Sequence, residues 1–450
     1  MKKGGSEENE VHVVMLPWLA FGHMIPYLDL SIALAKFGIH VSFISTPRNI
    51  SRLPKIPPNL SQFIEFVALP LPKLESDPLP ENAEATTDIP LERMDDLMIA
   101  CDLLREPVKK VIAEKSPNWI LVDFFYHWAA DIALELDVPL ILYIVVSAAS
   151  AVFFEGQRQA STSPQDMTVP PDHETEASTP GMEAAARVIR ITQGCKAIVV
   201  RTCPELEADY LKSFSKMTGR PVIPMGCLPP ETVEEASVNG EEPWSGVFGW
   251  LDKQKPKSVA FIGFGSECKL QREDIHEIAY GIELSGLPFI FILAKPLWGG
   301  GDDDEVVPPG FESRTAGRGV VQIGWAPQRE ILAHPSIGGS LFHAGWGSIM
   351  ENLRHGNYLV LLPFIFTQPL ETRLLVDKGL AIEVERAEDG SFTRNGIANA
   401  LQKAMVAQEG EALRARTKEA AHGIFANKQL NHTYFNKFVE YLKDGVYENK

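Results

Sequence analysis

Short β-rich apolar runs alternate with stretches of helical periodicity along most of the chain, in two sets separated by a polar gap. In the first set "VHVVML" (11–16) precedes "PYLDLSIALAKFG", whose apolar residues recur at helical spacing with Pro26 near the start and Gly38 at the end; "HVSFIST" follows as a second strand. The alternation returns in "NWILVDF", the helical "HWAADIALELDVP", "LILYIVV" and "AIVVRT". From Ser258 it starts afresh with "SVAFIGFG", a helix around 272–285, "PFIFILA", "GVVQIG", "IGGSLF" and "YLVLLP". Buried strands joined by amphipathic helices predict a parallel sheet, because a parallel crossover needs a helix and helices then cover both faces. The expected fold class is α/β, with two doubly wound halves.

A chain of 450 residues exceeds one ordinary core and fits two domains. The expected division is an N-terminal domain at 1–230, a linker at 231–250 and a C-terminal domain at 251–450, whose last helix packs back on the first domain. The linker reading rests on "GCLPPETVEEASVNGEEPW" (226–244), rich in Pro, Gly and acid. A second polar stretch, 160–181, reads as a mobile surface loop within the first half. Acidic residues outnumber basic ones 59 to 42, a net charge of −17, so nothing draws the chain to nucleic acid or anionic lipid. The apolar run near the start is broken by Pro17 and makes neither a signal peptide nor a membrane span. Five scattered cysteines without metal-ligand spacing fit reduced thiols in a cytoplasmic protein.

Ligands of open α/β sheets bind at the carboxyl ends of the strands, and one such place is distinctive. "IGGSLF" is the strand, "HAGWG" the turn and "SIMENLRHG" the helix. Gly345 and Gly347 let the main chain come close to a ligand, and the free N–H groups of the helix start favour an anion. Ser348 is placed to cap that helix or to give its hydroxyl to the ligand. A phosphate-bearing ligand is expected.

The surrounding segment, "WAPQREILAHPSIGGSLFHAGWGSIMENLRHGNYLVLLPFIFTQ" from Trp325 to Gln368, resembles the signature box of plant secondary-product glycosyltransferases, family-1 enzymes that use UDP-sugars. "FGHMIP", "VDFFYHWAADIALELDVP", "RTCPELE", "WLDKQKPKSVAFIGFGS" and "PPGFESRTAGRGVVQIGWAPQ" extend the resemblance over nearly the whole chain. It implies two Rossmann-like domains facing across a cleft, the GT-B type, with the donor held mainly by the C-terminal one. Trp325, with Ala326 beside it, would stack on uracil and Gln328 would bond the base edge, since an aromatic face and an amide suit a flat uncharged ring. Glu351 would accept both ribose hydroxyls. His343, Trp346, Gly347, Ser348 and Ser266 would surround the pyrophosphate, and Thr367 and Gln368 would reach the sugar.

Among eleven histidines His23 is singled out: it lies just after the first strand, in what reads as a loop, and matches the family's "GH" base, while Asp123 ends "WILV" and matches the partner aspartate. A neutral imidazole can take a proton from an acceptor hydroxyl near neutral pH, and a carboxylate on its other nitrogen stabilises the imidazolium. The implied reaction is a single inverting displacement. Neither metal nor organic cofactor is expected, the UDP-sugar being a donor substrate. The acidic run "GDDDE" (301–305) reads as a solvated charge run. A monomer is expected, with the UDP-sugar and a small-molecule acceptor as its partners.

Two departures matter. Relatives commonly carry "HCGWNS" where this chain has Ala344 and Gly347, and their box ends in Asp-Gln where this one has Thr367. A charged acceptor bond contributes about 1.5–3 kcal/mol against roughly 0.5–1.5 for a neutral one, so glucose loses support as donor against a deoxy sugar or pentose such as rhamnose or xylose. "LPWLAFGHMIPYLDLS" resembles the subgroup that extends a sugar on a flavonoid, terpenoid or steroid glycoside; a free aglycone is the competing acceptor. Two other classes are weighed: a UDP-sugar-binding protein without turnover, and a nicotinamide-dependent dehydrogenase. Against the second, "LPWLAFGHMIP" lacks the glycine spacing of a dinucleotide fingerprint.

Overall fold

The computed structural model describes residues 10–74, 79–161, 180–227, 244–294 and 306–445. The chain divides into two compact units, Met1–Leu228 with Gln429–Lys450, and Pro229–Lys428. The first unit is built on a sheet of β1 (His12–Leu16), β2 (His40–Ser45), β3 (Ile64–Ala68), β4 (Trp119–Val122), β5 (Leu140–Ile144), β6 (Ala197–Val200) and β7 (Val222–Pro224), in the order β3-β2-β1-β4-β5-β6-β7. The second is built on β8 (Val259–Gly263), β9 (Phe289–Leu293), β10 (Gly319–Ile323), β11 (Ile337–Phe342), β12 (Tyr358–Leu361) and β13 (Ala381–Glu383), in the order β10-β9-β8-β11-β12-β13. Neighbouring strands run parallel throughout both sheets. The α/β class and the pair of doubly wound sheets are therefore as the alternation predicts.

The period of two in a strand sends alternate residues to opposite faces, and both faces are buried. In the first sheet Val14, Leu16, Ile120 and Val122 enter one apolar layer, and Val13, Met15, Trp119 and Leu121 enter the other. The last helix, Lys428–Asp444, supplies Phe438 and Leu442 to that second layer, and the Trp119 indole N–H donates to the Leu442 carbonyl at 2.8 Å. The second sheet repeats the pattern, with Ala260, Ile262 and Phe291 in one layer and Val259, Phe261 and Ile290 in the other.

Several boundaries differ from the sequence reading. The helix Trp244–Leu251 places Trp244, Val247 and Leu251 in the second unit's core, so the end of the 231–250 linker span is helical; 228–243 lies outside the described residues. The 160–181 stretch begins inside the helix Ala148–Ser161 and ends inside Pro180–Gly194, and 162–179 lies outside the described residues, as does the acidic run 301–305. The first helix is Phe21–Ala35, so Pro26 lies within it and not near its start. Proline cannot supply the N–H that would bond the Gly22 carbonyl, but Gly22 is exposed, where that carbonyl can turn to water. Strands β3, β7 and β13 escape the sequence reading: β3 is a partly exposed edge strand carrying Glu65, and the other two have three residues each.

In each sheet the order reverses beside the first strand, with β2 and β4 flanking β1, and β9 and β11 flanking β8. Such a reversal opens a crevice at the carboxyl ends of the two central strands, because successive connections leave in opposite directions.

Helix Arg272–Ser285 lies so close to helix Arg394–Met405 that a Cβ at Gly281 would sit 2.7 Å from Ile397 Cβ and 2.9 Å from the Arg394 carbonyl. Gly281→Ala is expected to lower stability by about 1–3 kcal/mol through overpacking, despite alanine's better helix propensity. Urea unfolding checks this; a stabilised variant would contradict the close helix contact.

Candidate active site

At the first reversal, β1 and β4 pair with Leu16 opposite Val122, so the residues that follow the two strands emerge side by side. Asp123 is the residue after β4, and its N–H donates to the Leu16 carbonyl at 3.1 Å. His23 does not lie in a loop: it occupies the first turn of the helix Phe21–Ala35, which aims its ring back toward the strand ends. His23 Nδ1 stands 2.7 Å from Asp123 Oδ2, and the aspartate is wholly buried, 0% exposed. A carboxylate oxygen only accepts, so Nδ1 carries the proton and Nε2 keeps a lone pair. Phe124 and Phe125 set their rings edge-on to the imidazole at 5.8 and 6.1 Å, and Trp18 stacks on Phe125 at 4.2 Å. The histidine is thus held by one polar bond within an aromatic frame.

At the second reversal, Gly265 and Ser266 follow β8, and His343 follows β11. A Cβ on Gly265 would come 2.8 Å from His343 Cε1, and one on Gly345 would come 2.8 Å from its Nε2, so the imidazole lies between two stretches of bare backbone. Burial pushes the His343 pKa down to about 4, which leaves it neutral near pH 7. Ala344 takes φ +66°, a left-handed conformation costly for any residue with a Cβ, and Gly345 caps the helix Trp346–Arg354. Ser348 therefore lies inside the helix and does not cap it. The Trp346 side chain is buried, 4% exposed, so the helix start offers mainly main-chain N–H groups. Open space surrounds the Cβ direction of Gly347.

Trp325, after β10, is 72% exposed, its indole meeting Trp244 edge-on at 6.3 Å. Ala326 is half-buried beside it, and Gln328 opens the short helix Gln328–Ala333. The Gln328 amide does not face outward alone: its Nε2 donates to Ser348 Oγ at 3.2 Å and to Glu351 Oε2 at 2.9 Å. Arg329 Nε donates to the other Glu351 oxygen, Oε1, at 3.0 Å. Arg329 was not among the residues expected from sequence, although it directly follows Gln328 in the box. After β12, exposed Phe366 takes φ +55°, and Thr367 precedes the helix Gln368–Asp377 without a side-chain capping bond. Gln368 is buried and turns its amide oxygen inward, accepting from the Phe364 and Ile365 N–H groups at 2.8 and 3.0 Å. That bond ties down the loop before the helix. It also removes the amide oxygen from ligand contact.

The first unit thus carries a buried-carboxylate histidine dyad. The second carries an aromatic face, a carboxylate bonded on both oxygens and a backbone-rich anion turn.

Comparison with known proteins places the chain in one family. The family model described as "Glycosyltransferase, N-terminal domain" matches residues 9–225, and that described as "UDP-glucoronosyl and UDP-glucosyl transferase" matches residues 249–411. UDP-glycosyltransferase 91A1 of Arabidopsis thaliana is 39% identical, over 98% of this chain and 98% of its own. Soyasaponin III rhamnosyltransferase of Glycine max is also 39% identical, over 98% of this chain and 97% of its own. Among solved structures, Glycyrrhiza uralensis UGT73P12, complexed with glycyrrhetinic acid 3-O-monoglucuronide, has the same fold, with a TM-score of 0.83 over 97% of this chain and 96% of that one at 23% identity. On these matches the chain belongs to the plant family-1 UDP-glycosyltransferases, enzymes of GT-B fold that transfer a sugar from a UDP-sugar.

Proposed function

We propose that this enzyme transfers a sugar, with inversion, from a UDP-sugar to a sugar hydroxyl of a plant glycoside, and that His23 is its general base. The observation that carries the reading is the 2.7 Å contact between His23 Nδ1 and the buried Asp123 carboxylate. With Nδ1 occupied, Nε2 takes the acceptor's proton, and the aspartate stabilises the imidazolium as it forms. The freed oxygen attacks the anomeric carbon from the face opposite UDP, so configuration inverts in one step. Trp325 stacks on uracil, Glu351 accepts from the ribose hydroxyls, and the pyrophosphate takes up the main-chain N–H groups from Trp346 to Ser348 with His343, Gly347 and Ser266 around it. Because Gln328 donates to Ser348 Oγ, the serine's own O–H is left to donate to phosphate. Charge gathering on the departing phosphate is met by these preorganised donors. No step in this scheme calls for a metal. Five buried free thiols are consistent with the reducing cytoplasm, and no helix among the described residues is long and apolar enough to cross a membrane.

Thr367 supports a donor with fewer hydroxyls to satisfy, a deoxyhexose or pentose, and the rhamnosyltransferase relative supports the same choice. A glycoside acceptor is supported by that relative's soyasaponin substrate and by the glucuronide held in the Glycyrrhiza structure.

His23→Ala is expected to lower kcat by about 10²–10⁴-fold while UDP affinity stays within about twofold, and Asp123→Asn to lower kcat without loss of UDP binding. Steady-state kinetics and calorimetry check both; transfer undiminished in His23→Ala would remove the base assignment. In a panel of UDP-sugars offered with mixed glycosides and aglycones, the wild type is expected to favour UDP-rhamnose or UDP-xylose with a glycoside. Thr367→Asp should move the ranking toward UDP-glucose; an unmoved ranking contradicts the reading of residue 367. UDP binding without UDP release from any donor would indicate a binding protein. Gly347→Asn, which has room for its side chain, is expected to lower the donor KM by roughly two- to tenfold through one added amide bond. An unchanged KM would mean that the main chain alone holds the phosphates.

A further inference from the structure

The carboxylate of Glu351 is bonded on both oxygens by its own chain, by Gln328 Nε2 at 2.9 Å and by Arg329 Nε at 3.0 Å. The two donors are successive residues at the start of the helix Gln328–Ala333, and Glu351 lies on the helix Trp346–Arg354. The Glu351 side chain is 12% exposed and that of Arg329 28%, so the pair is substantially shielded from water. An ion pair so placed holds its geometry better than an exposed one, whose two side chains lose more freedom for a weaker attraction. Two donors on successive residues, one on each oxygen, fix the plane of the carboxylate between them, and the guanidinium also neutralises its charge.

We infer that Arg329 is a positioning residue for the nucleotide ribose: it locks the plane of the Glu351 carboxylate so that the remaining lone pairs of its two oxygens meet the two ribose hydroxyls together. This rests on the reading of Glu351 as the ribose acceptor. A carboxylate on a free three-torsion side chain loses rotamer freedom when it binds a diol; one already clamped does not, and the difference appears as nucleotide affinity. Gln328 sets one oxygen and Arg329 the other, so removal of Arg329 leaves a carboxylate that can still accept but swings about its last torsion. The effect belongs to the ribose hydroxyls alone, since Arg329 acts through a group that touches nothing else of the ligand.

The test compares UDP with 2′,3′-dideoxy-UDP by calorimetry on the full-length enzyme and on Glu351→Ala, Arg329→Leu and Arg329→Lys. The wild type should favour UDP by about tenfold or more, and Glu351→Ala should bring that ratio near one. Arg329→Leu should weaken UDP by about fivefold and leave dideoxy-UDP unchanged, with Arg329→Lys recovering part of the loss through its charge without the fixed direction of the Nε–H bond. Unaltered dideoxy-UDP binding also shows that the variant site is folded. Equal weakening of both nucleotides in Arg329→Leu, or of neither, would overturn the proposal even where Glu351→Ala collapses the ratio. A Glu351→Ala variant that keeps the wild-type ratio would overturn the ribose reading itself, and this inference with it.

Discussion

The bond between His23 and Asp123 joins residues 100 positions apart, and it exists because β1 and β4 are parallel neighbours in register. Parallel pairing puts the carboxyl ends of both strands at the same edge of the sheet, and the reversal of strand order there keeps the crossover helices from filling the space above them. The chain leaves β1 into a helix that carries His23 in its first turn, and it leaves β4 directly through Asp123. The aspartate can be wholly buried because the histidine bonds one of its oxygens. An uncompensated carboxylate in that place would destabilise the sheet edge.

The second unit uses the same reversal for a different end. Between β8 and β11 the chain presents backbone more than side chains: Gly265 and Gly345 clear the space on either side of His343, Ala344 accepts a left-handed φ to make the turn, and the helix begins at Trp346. A neutral His343, held near pKa 4 by burial, adds a hydrogen-bonding group without adding a buried charge. That division suits a transferase. On the function proposed above, the first unit would supply the acid–base pair and the second the fixed dipoles that meet a departing phosphate.

Much of the fold was readable in advance because buried parallel strands are continuous apolar runs. "WILV", "LILYI" and "FIFIL" are of this kind, and the helix expected around 272–285 spans Arg272–Ser285. What was missed lacked that signal: β3 at an edge with Glu65 in it, and β7 and β13 too short for any period to register. The site was readable as residue types but less so as directions. Ser348 looked like a helix cap and lies within the first turn, after Gly345; Gln368 looked like a sugar ligand and turns its oxygen to the backbone of the preceding loop. Arg329 passed unnoticed, because a basic residue on a short amphipathic stretch reads as surface until the facing carboxylate is known.

The amino-acid order by itself determined the alternation of strand and helix, the two-sheet plan, and the supply of chemistry: an imidazole after the first strand, an aspartate at the end of "WILV", a glycine-rich turn opening a helix. These follow from local periodicity and backbone preference, which act over a few residues. Only the tertiary structure decided which distant groups bond, where Pro26 and Ser348 stand along their helices, and that the Glu351 carboxylate is gripped on both oxygens. The reason is that side-chain direction depends on helix phase and strand register. Both are set by packing against elements far away in sequence, and a shift of one residue turns a side chain from the ligand to the core.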